Sequence, residues 1–351
     1  MKWTRLLLSL ICLITLLTPA GALAAQSTAR ELVIAYQPLA SPGGAIMELL
    51  IRDQLLRHAL ARNGLTLRLR PVSHGSEAIA ALRAGEVTLT TLGDMPALEL
   101  AATTPVTIFA QLKQNYAMVV GPKGMTAREL KGKRIGNVHA SSGHFALLKV
   151  LQSAGLGEKD VTLVALPVSQ MPDALAQGTI DAFAAWEPTP SLAIANAPDR
   201  LAAIGRQNTS AYLVADRTML ERHPEAGHQL AAALLRAMHR LKQAKHLQQA
   251  VDWNLASIDK LGNGSPQHRP NQLQRVVAAD LASIRYSPRL APLTATRDAA
   301  SLAAEFGFLR TLGKIPPEVR WEDIQRSINR TIVDQVVRNP GRYQTTRQAY
   351  D

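Results

Sequence analysis

Cysteine is almost missing from these 351 residues: there is one, Cys12, and it lies in an apolar segment at the N-terminus. Disulfides, thiol nucleophiles and cysteine metal sites have no material in the rest of the chain, so stability has to come from packed apolar cores. Aromatic residues are scarce, 4% of the chain, which leaves little for a surface on which nucleic-acid bases stack. After the first two dozen residues no stretch is apolar enough to span a bilayer, for which ~20 apolar residues are needed. Catalytic signatures are missing too. There is no Gly-x-Ser-x-Gly elbow, no His-Glu-x-x-His zinc helix and no Gly-x-x-x-x-Gly-Lys phosphate loop. His139 and His144 are poorly spaced for one helical face and have no evident third ligand, so they do not read as a metal pair. Ser142 and His144 lie two apart, with no acid to orient the histidine. No cofactor and no metal are expected.

What is there is globular. Hydrophobic residues make up 47% and charged residues 19%, a balance that argues against disorder over a length sufficient for two lobes with separate cores. Lys and Arg number 39 against 27 Asp and Glu, for a net charge of +12. The basic residues are dispersed, as on a solvated surface, and nucleic acid is not implied; the field weakly favours small anionic ligands. At the N-terminus Lys2 and Arg5 precede the apolar run Leu6–Leu17, and Ala22-Leu23-Ala24 supplies a small-residue cleavage site. This predicts a signal peptide over 1–24, with an uncleaved anchor as the competing reading. Cleavage would remove Lys2, Arg5 and Cys12, lowering the net charge from +12 to +10.

From Leu32 the pattern alternates strand and helix. Strands are predicted at 32–36, 65–72, 87–92 and 106–112, with helices at 45–61, 77–84 and from Pro96 to Ala101. A second run follows: strands at 116–120, 134–138, 161–166 and 180–185, helices at 144–154 and 171–177, a capping box at Thr126–Glu129, and strands at 201–204 and 211–215. Beyond Thr218 the chain reads as helical, at 220–261, 271–284, 299–312 and 321–337, with a turn at Gly262–Pro266. This predicts an α/β protein with a parallel-rich sheet in each of two lobes. Lobe boundaries fall near Leu112–Asn115 and Gln207–Ser210, so that 25–113 with 216–351 form one lobe and 114–215 the other, and two short connections form a hinge.

In such sheets the loops at the carboxyl ends of strands line the ligand crevice. Four loops qualify: one around Gln37, Gly93-Asp94, Ala140-Ser141-Ser142-Gly143-His144, and Trp186-Glu187. Small residues at the start of the helix after Ala140 leave N–H groups open to an anion; equally, Ser141 or Ser142 can simply cap that helix. For the others the blander readings are a turn at Gly93-Asp94 and a packing role for Trp186.

In order along the chain, the segments Ile34-Ala35-Tyr36-Gln37-Pro38, Ala84-Gly85-Glu86-Val87, Leu92-Gly93-Asp94-Met95-Pro96-Ala97, Leu130-Lys131-Gly132-Lys133-Arg134-Ile135-Gly136, Ser141-Ser142-Gly143-His144, Ala174-Leu175-Ala176-Gln177-Gly178-Thr179-Ile180-Asp181-Ala182 and Trp186-Glu187-Pro188 resemble the periplasmic substrate-binding proteins of ABC importers for aliphatic sulfonates, taurine and nitrate. The resemblance covers most of residues 31 to 215. It implies a two-lobe, type II-like periplasmic binding protein with a hinge and a helical C-terminal region, non-enzymatic and monomeric. Such a protein holds a small organic anion between its lobes and delivers it to a permease at the inner membrane. Carried over by position, it implies ligand contacts at Gln37, Gly93, Asp94, Ser141, Ser142, His144 and Trp186, and a weaker one at Tyr212. Glu187 joins the candidates because it sits in the same loop as Trp186. A carboxylate beside a sulfonate repels it, so Asp94 and Glu187 either turn towards basic residues or meet an amine on the ligand. Gly143 stands where many relatives carry a larger residue. The branch that binds the thiamine pyrimidine precursor uses a cysteine-rich motif, which the mature chain lacks. An enzyme on the same fold acting on a small acid, and a periplasmic sensor subunit, are the alternative functions.

Overall fold

The structure is a computed structural model that describes residues 30–262, 270–283, 288–290 and 296–351. The expected signal peptide and the turn residues after Gly262 lie outside them.

The first strand shows why the chain folds as it does. β1 (Arg30–Tyr36) becomes an unbroken apolar run from Leu32 onward, with neighbours on both faces. Leu32, Ile34 and Tyr36 point into one core, and Val33 and Ala35 into the other. That is the pattern of a parallel strand covered by helices on both sides. The first lobe continues with α1 (Gly43–Arg52), α2 (Gln54–Ala61), β2 (Leu65–Pro71), α3 (Gly75–Arg83), β3 (Leu89–Gly93) and α4 (Asp94–Thr103). The helix expected over 45–61 is two helices. Asp53 breaks it by adopting an extended backbone, and its buried carboxylate accepts from Leu56 N at 3.0 Å, capping α2, and from Arg236 Nε at 2.6 Å.

β4 (Val106–Pro122) leaves this lobe, and the second is built from β5 (Arg134–Asn137), α5 (Ser142–Ser153), β6 (Thr162–Ala165), α6 (Met171–Ala176), β7 (Ala182–Trp186) and α7 (Thr189–Asn196). β8 (Leu201–Asp216) returns to the first. Eight strands form one sheet in the order β2-β1-β3-β8-β4-β7-β5-β6. β4 and β8 pair antiparallel over nearly their whole length, so each belongs to both lobes. The segments expected as separate strands, 106–112 with 116–120 and 201–204 with 211–215, are therefore continuous. The polar triplet Lys113-Gln114-Asn115 interrupts the apolar pattern without interrupting the ladder, which merely shifts register between Gln111 and Lys113.

The C-terminal part comprises α8 (Arg217–Arg222), α9 (Pro224–Leu241), α10 (Ala244–Lys260), α11 (Pro270–Ser283), α12 (Thr296–Thr311), α13 (Trp321–Arg326) and α14 (Thr331–Arg338). The helices expected over 220–261 and 321–337 are each divided, with Pro224 opening α9. α9, α10, α11 and α14 pack on the first lobe in the core that holds Leu32 and Ile34. α12 and α13 do something different. Phe306, Leu309, Ile315 and Ile324 form a core with Met95 and Leu98 of α4 and with Phe145 of α5, joining the two lobes through apolar contact. Among the described residues no helix is long and apolar enough to cross a membrane.

Candidate functional site

The carboxyl ends of β1, β2, β3, β5 and β7 converge on a cleft of about 260 Å³ between the lobes. Strand ends carry its walls: Gln37 follows β1, His74 to Ser76 open α3, Gly93 precedes α4, Ser141 and Ser142 open α5, and Trp186 ends β7. Lys113 and Thr209 reach it from the middle of the two shared strands.

Of the nine residues singled out in the sequence, the structure brings five to the cleft lining: Gln37, Gly93, Ser141, Ser142 and Trp186. Asp94 lies directly behind it, buried. Its Oδ1 accepts from Met95 N at 3.0 Å and from the Ser142 hydroxyl, and its Oδ2 from Thr209 Oγ1 at 2.9 Å and Ser210 N at 3.0 Å. One carboxylate thus joins the start of α4, the middle of β8 and the start of α5. Glu187 is also buried and turns away, accepting from Ser191 Oγ at 2.6 Å and from Ser191 N. Within the protein, both acids occupy their oxygens with neutral donors rather than with basic residues.

His144 and Tyr212 are not in the lining. Backbone geometry turns the buried His144 away from the cleft: its Nδ1 accepts from Ala140 N at 3.2 Å, so the neutral ring carries its proton on Nε2, 3.1 Å from the partly exposed Glu158. The ring packs against His139 and Phe308. Burial lowers its pKa, against the opposing pull of Glu158. Tyr212 follows from strand alternation: Ala211 faces the cleft, so Tyr212 faces the opposite side, in the first-lobe core beside Leu92.

The start of α5 shows what the serines offer. Ser141 is the N-cap, its hydroxyl accepting from His144 N at 3.1 Å and donating to Val138 O at 2.6 Å. Ser142, the first helical residue, donates its proton to Asp94. Both hydroxyl protons are therefore committed. What α5 keeps for an anion is the positive end of its dipole and the N–H groups of Ser142 and Gly143, which the helix's own ladder does not use. Gly143 is required by packing. A Cβ there would stand 2.8 Å from Ala184 O on β7, so only glycine lets the helix start lie this close to the sheet.

Lys113 was missed in the sequence because it was read as part of a lobe boundary. It is 3% exposed and lines the cleft. Among the described residues its ammonium has no hydrogen bond and no ion pair. Burial lowers its pKa, while Asp280, Asp94 and Glu187 pull it back up. Asp280 of α11 accepts from Ser41 Oγ at 2.6 Å, and burial raises its pKa. Burial also pushes the Glu187 carboxyl up to about 7; Ser191 and Lys113 oppose the rise and Asp280 adds to it. Lys113 is thus the cation in the cleft floor, and the three buried carboxylates that act on it lie outside the lining. Among the described residues no group of His, Cys, Asp and Glu is arranged to hold a metal ion.

A family model, that of the NMT1-like family, matches residues 57–256. The chain belongs to this NMT1-like family. Matching relatives agree in kind. The taurine-binding periplasmic protein of Escherichia coli (strain K12) is 28% identical over 178 residues, which cover 50% of this chain and 53% of that one. The chain spans between half and two thirds of the length of the curated relatives it matches. In fold, this NMT1-like protein is similar to the periplasmic aliphatic sulphonate binding protein of Escherichia coli, with a TM-score of 0.63 at 22% identity, over 86% of this chain and 92% of that one. A desulfurization enzyme shares the fold, with a TM-score of 0.57 at 15% identity over 88% and 99% of the two chains. The architecture is that of the periplasmic binding proteins.

Proposed function

We propose that this protein is the solute-binding component of an ABC importer, exported to the periplasm, where it captures a small organic anion of the sulfonate class between its lobes and presents it to a permease. The observation that carries the reading is Lys113, a buried ammonium lining the cleft with no hydrogen-bonding partner among the described residues and with the start of α5 in the same lining. A buried charge is costly unless it is paired, and an incoming anion supplies the partner. Relatives named for taurine and sulfonates support the class of ligand, and their description as periplasmic supports the location.

In this reading Gln37, Gly93, Ser141, Ser142, Trp186 and Lys113 meet the ligand, and Asp94 and Glu187 act as positioning residues. The lobes are 25–113 with 216–351, and 114–215, and they hinge within β4 and β8. Closure is stabilised by contacts made only when both walls touch the ligand.

Titration calorimetry with ethanesulfonate and taurine, with mass spectrometry of the recovered solute, tests the reading. One-to-one binding with the solute returned intact is expected. Replacing Lys113 by Met should weaken binding by about 10- to 150-fold, the worth of one hydrogen bond to a charged group at ~1.5–3 kcal/mol. A chemically altered solute would make the protein an enzyme, as the fold-sharing desulfurization enzyme is. Unchanged affinity in the Lys113→Met variant would remove the cation from the site.

A further inference from the structure

We propose that the solute is an elongated diacid: an anionic head at Lys113 and α5, an apolar body along α3, and a second acidic group at Arg83 and Lys314. This rests on the anion-binding reading above and names its ligand more closely.

The shape of the cleft is the first argument. Its 260 Å³ would hold roughly nine waters at ~30 Å³ each, more space than a two-carbon sulfonate fills. It is also long. Ser76, Ile79, Ala80 and Arg83 all line it, at the spacing of a single helical stripe. At ~1.5 Å per residue that stripe runs about 10 Å from the start of α3 to its end. The opposing walls along the middle are Pro96 of α4 and Val138 and Ala140 of the second lobe. This middle stretch is apolar, and a ligand consisting of a head group alone would leave it facing water.

The far end is the second argument. Arg83 is held there by the hydroxyls of Thr103 at 2.6 Å and Thr104 at 3.4 Å, at the end of α4. Lys314 arrives from the segment between α12 and α13. That segment is fixed because Leu309 and Ile315, on either side of Lys314, are packed against α4 and α5. Glu99 is the one carboxylate in this part of the lining, so two cations face one acid and the end carries net positive charge. Neither cation has an ion pair among the described residues. The C-terminal region thus contributes Lys314 to the cleft and supplies half of this second charge site.

The test is calorimetry on the full mature chain with ethanesulfonate, octanesulfonate and an octanesulfonate bearing a terminal carboxylate. The diacid should bind at least about tenfold more tightly than octanesulfonate, the scale of one charge-assisted contact. That ratio should fall towards one in a variant carrying Arg83→Ser and Lys314→Ser, with folding checked by its melting curve. If octanesulfonate matches the diacid, or if the ratio survives in the variant, the second acidic site is wrong. If ethanesulfonate binds as tightly as both longer solutes, the elongated body is wrong as well, and in both cases the anion-binding reading stands. If none of the three binds to folded protein, that reading fails and this inference with it.

Discussion

Replacing Asp94 by Asn keeps the shape of the side chain and removes half of its accepting power. The carboxylate takes four hydrogen bonds, two on each oxygen, in a buried position. An amide has one oxygen for two of those donors and presents an NH2 group to the other two. The hydroxyl of Ser142 or Thr209 can rotate to accept from it. The backbone N–H beside that hydroxyl, at Met95 or Ser210, cannot. One buried N–H is therefore orphaned, at a cost of about 1–3 kcal/mol, and the surviving bonds fall from charged to neutral strength. A net loss of about 2–4 kcal/mol is expected, a large share of the ~5–15 kcal/mol that holds a typical protein folded. Denaturant unfolding of the unliganded protein measures it through the shift in midpoint at constant slope. A companion variant, Ser142→Ala, removes only the bond that reaches α5. Its effect should appear as a shift towards more open lobes, read as a larger radius of gyration by solution scattering, with little change in unfolding midpoint. An Asp94→Asn protein whose midpoint stays within about 0.5 kcal/mol of the parent would refute the four-bond arrangement.

Two further outcomes follow from buried charges. The Glu187 carboxyl titrates near 7 in the folded protein, above its ordinary value of 4.5. Its contribution to stability is thus full below about 4.5 and is lost as pH rises through 7, by roughly 3 kcal/mol; Glu187→Gln should flatten the pH dependence of the melting temperature over that window. Arg236 and Asp53 form a fully buried pair at 2.6 Å, and Arg236 also donates to Tyr343 O at 3.0 Å. Arg236→Met strands the carboxylate that divides α1 from α2, and urea denaturation should show a loss of about 3–5 kcal/mol.

The alternation of strands and helices was legible because the parallel strand β7 and most of β1 are apolar while the edge strand β2 alternates apolar and polar residues. The loops at their carboxyl ends were legible by the same logic, and with them Gln37, Gly93, the serines and Trp186. Three features were hidden for physical reasons. Lys113 sits where a strand turns polar, and nothing local separates a strand that ends there from one that runs on as the floor of a cleft. The turn of His144 away from the cleft depends on Ala140, a non-glycine residue in the left-handed region with φ of 56°, which aims a backbone N–H at the ring. The break at Asp53 depends on Arg236, far along the chain. Tyr212 is the opposite case: the two-residue period of its strand was visible, and it fixes the face on which the side chain lies.

The two long strands shared by the lobes have a mechanical consequence. Because β4 and β8 are bonded to one another across the whole junction, a swing of one lobe on the other would have to twist a two-stranded ribbon as well as shear the apolar core that α12 and α13 share with α4 and α5. Such a ribbon yields most easily where its ladder is already out of step, and one such irregularity lies between Gln111 and Lys113. In the proposed reading, the ammonium offered to the ligand would be mounted beside that pivot. Rotation about that point would move Lys113 less than the cleft walls carried by either lobe. A charge placed there would act as a fixed post, with the walls of the cleft moving relative to it.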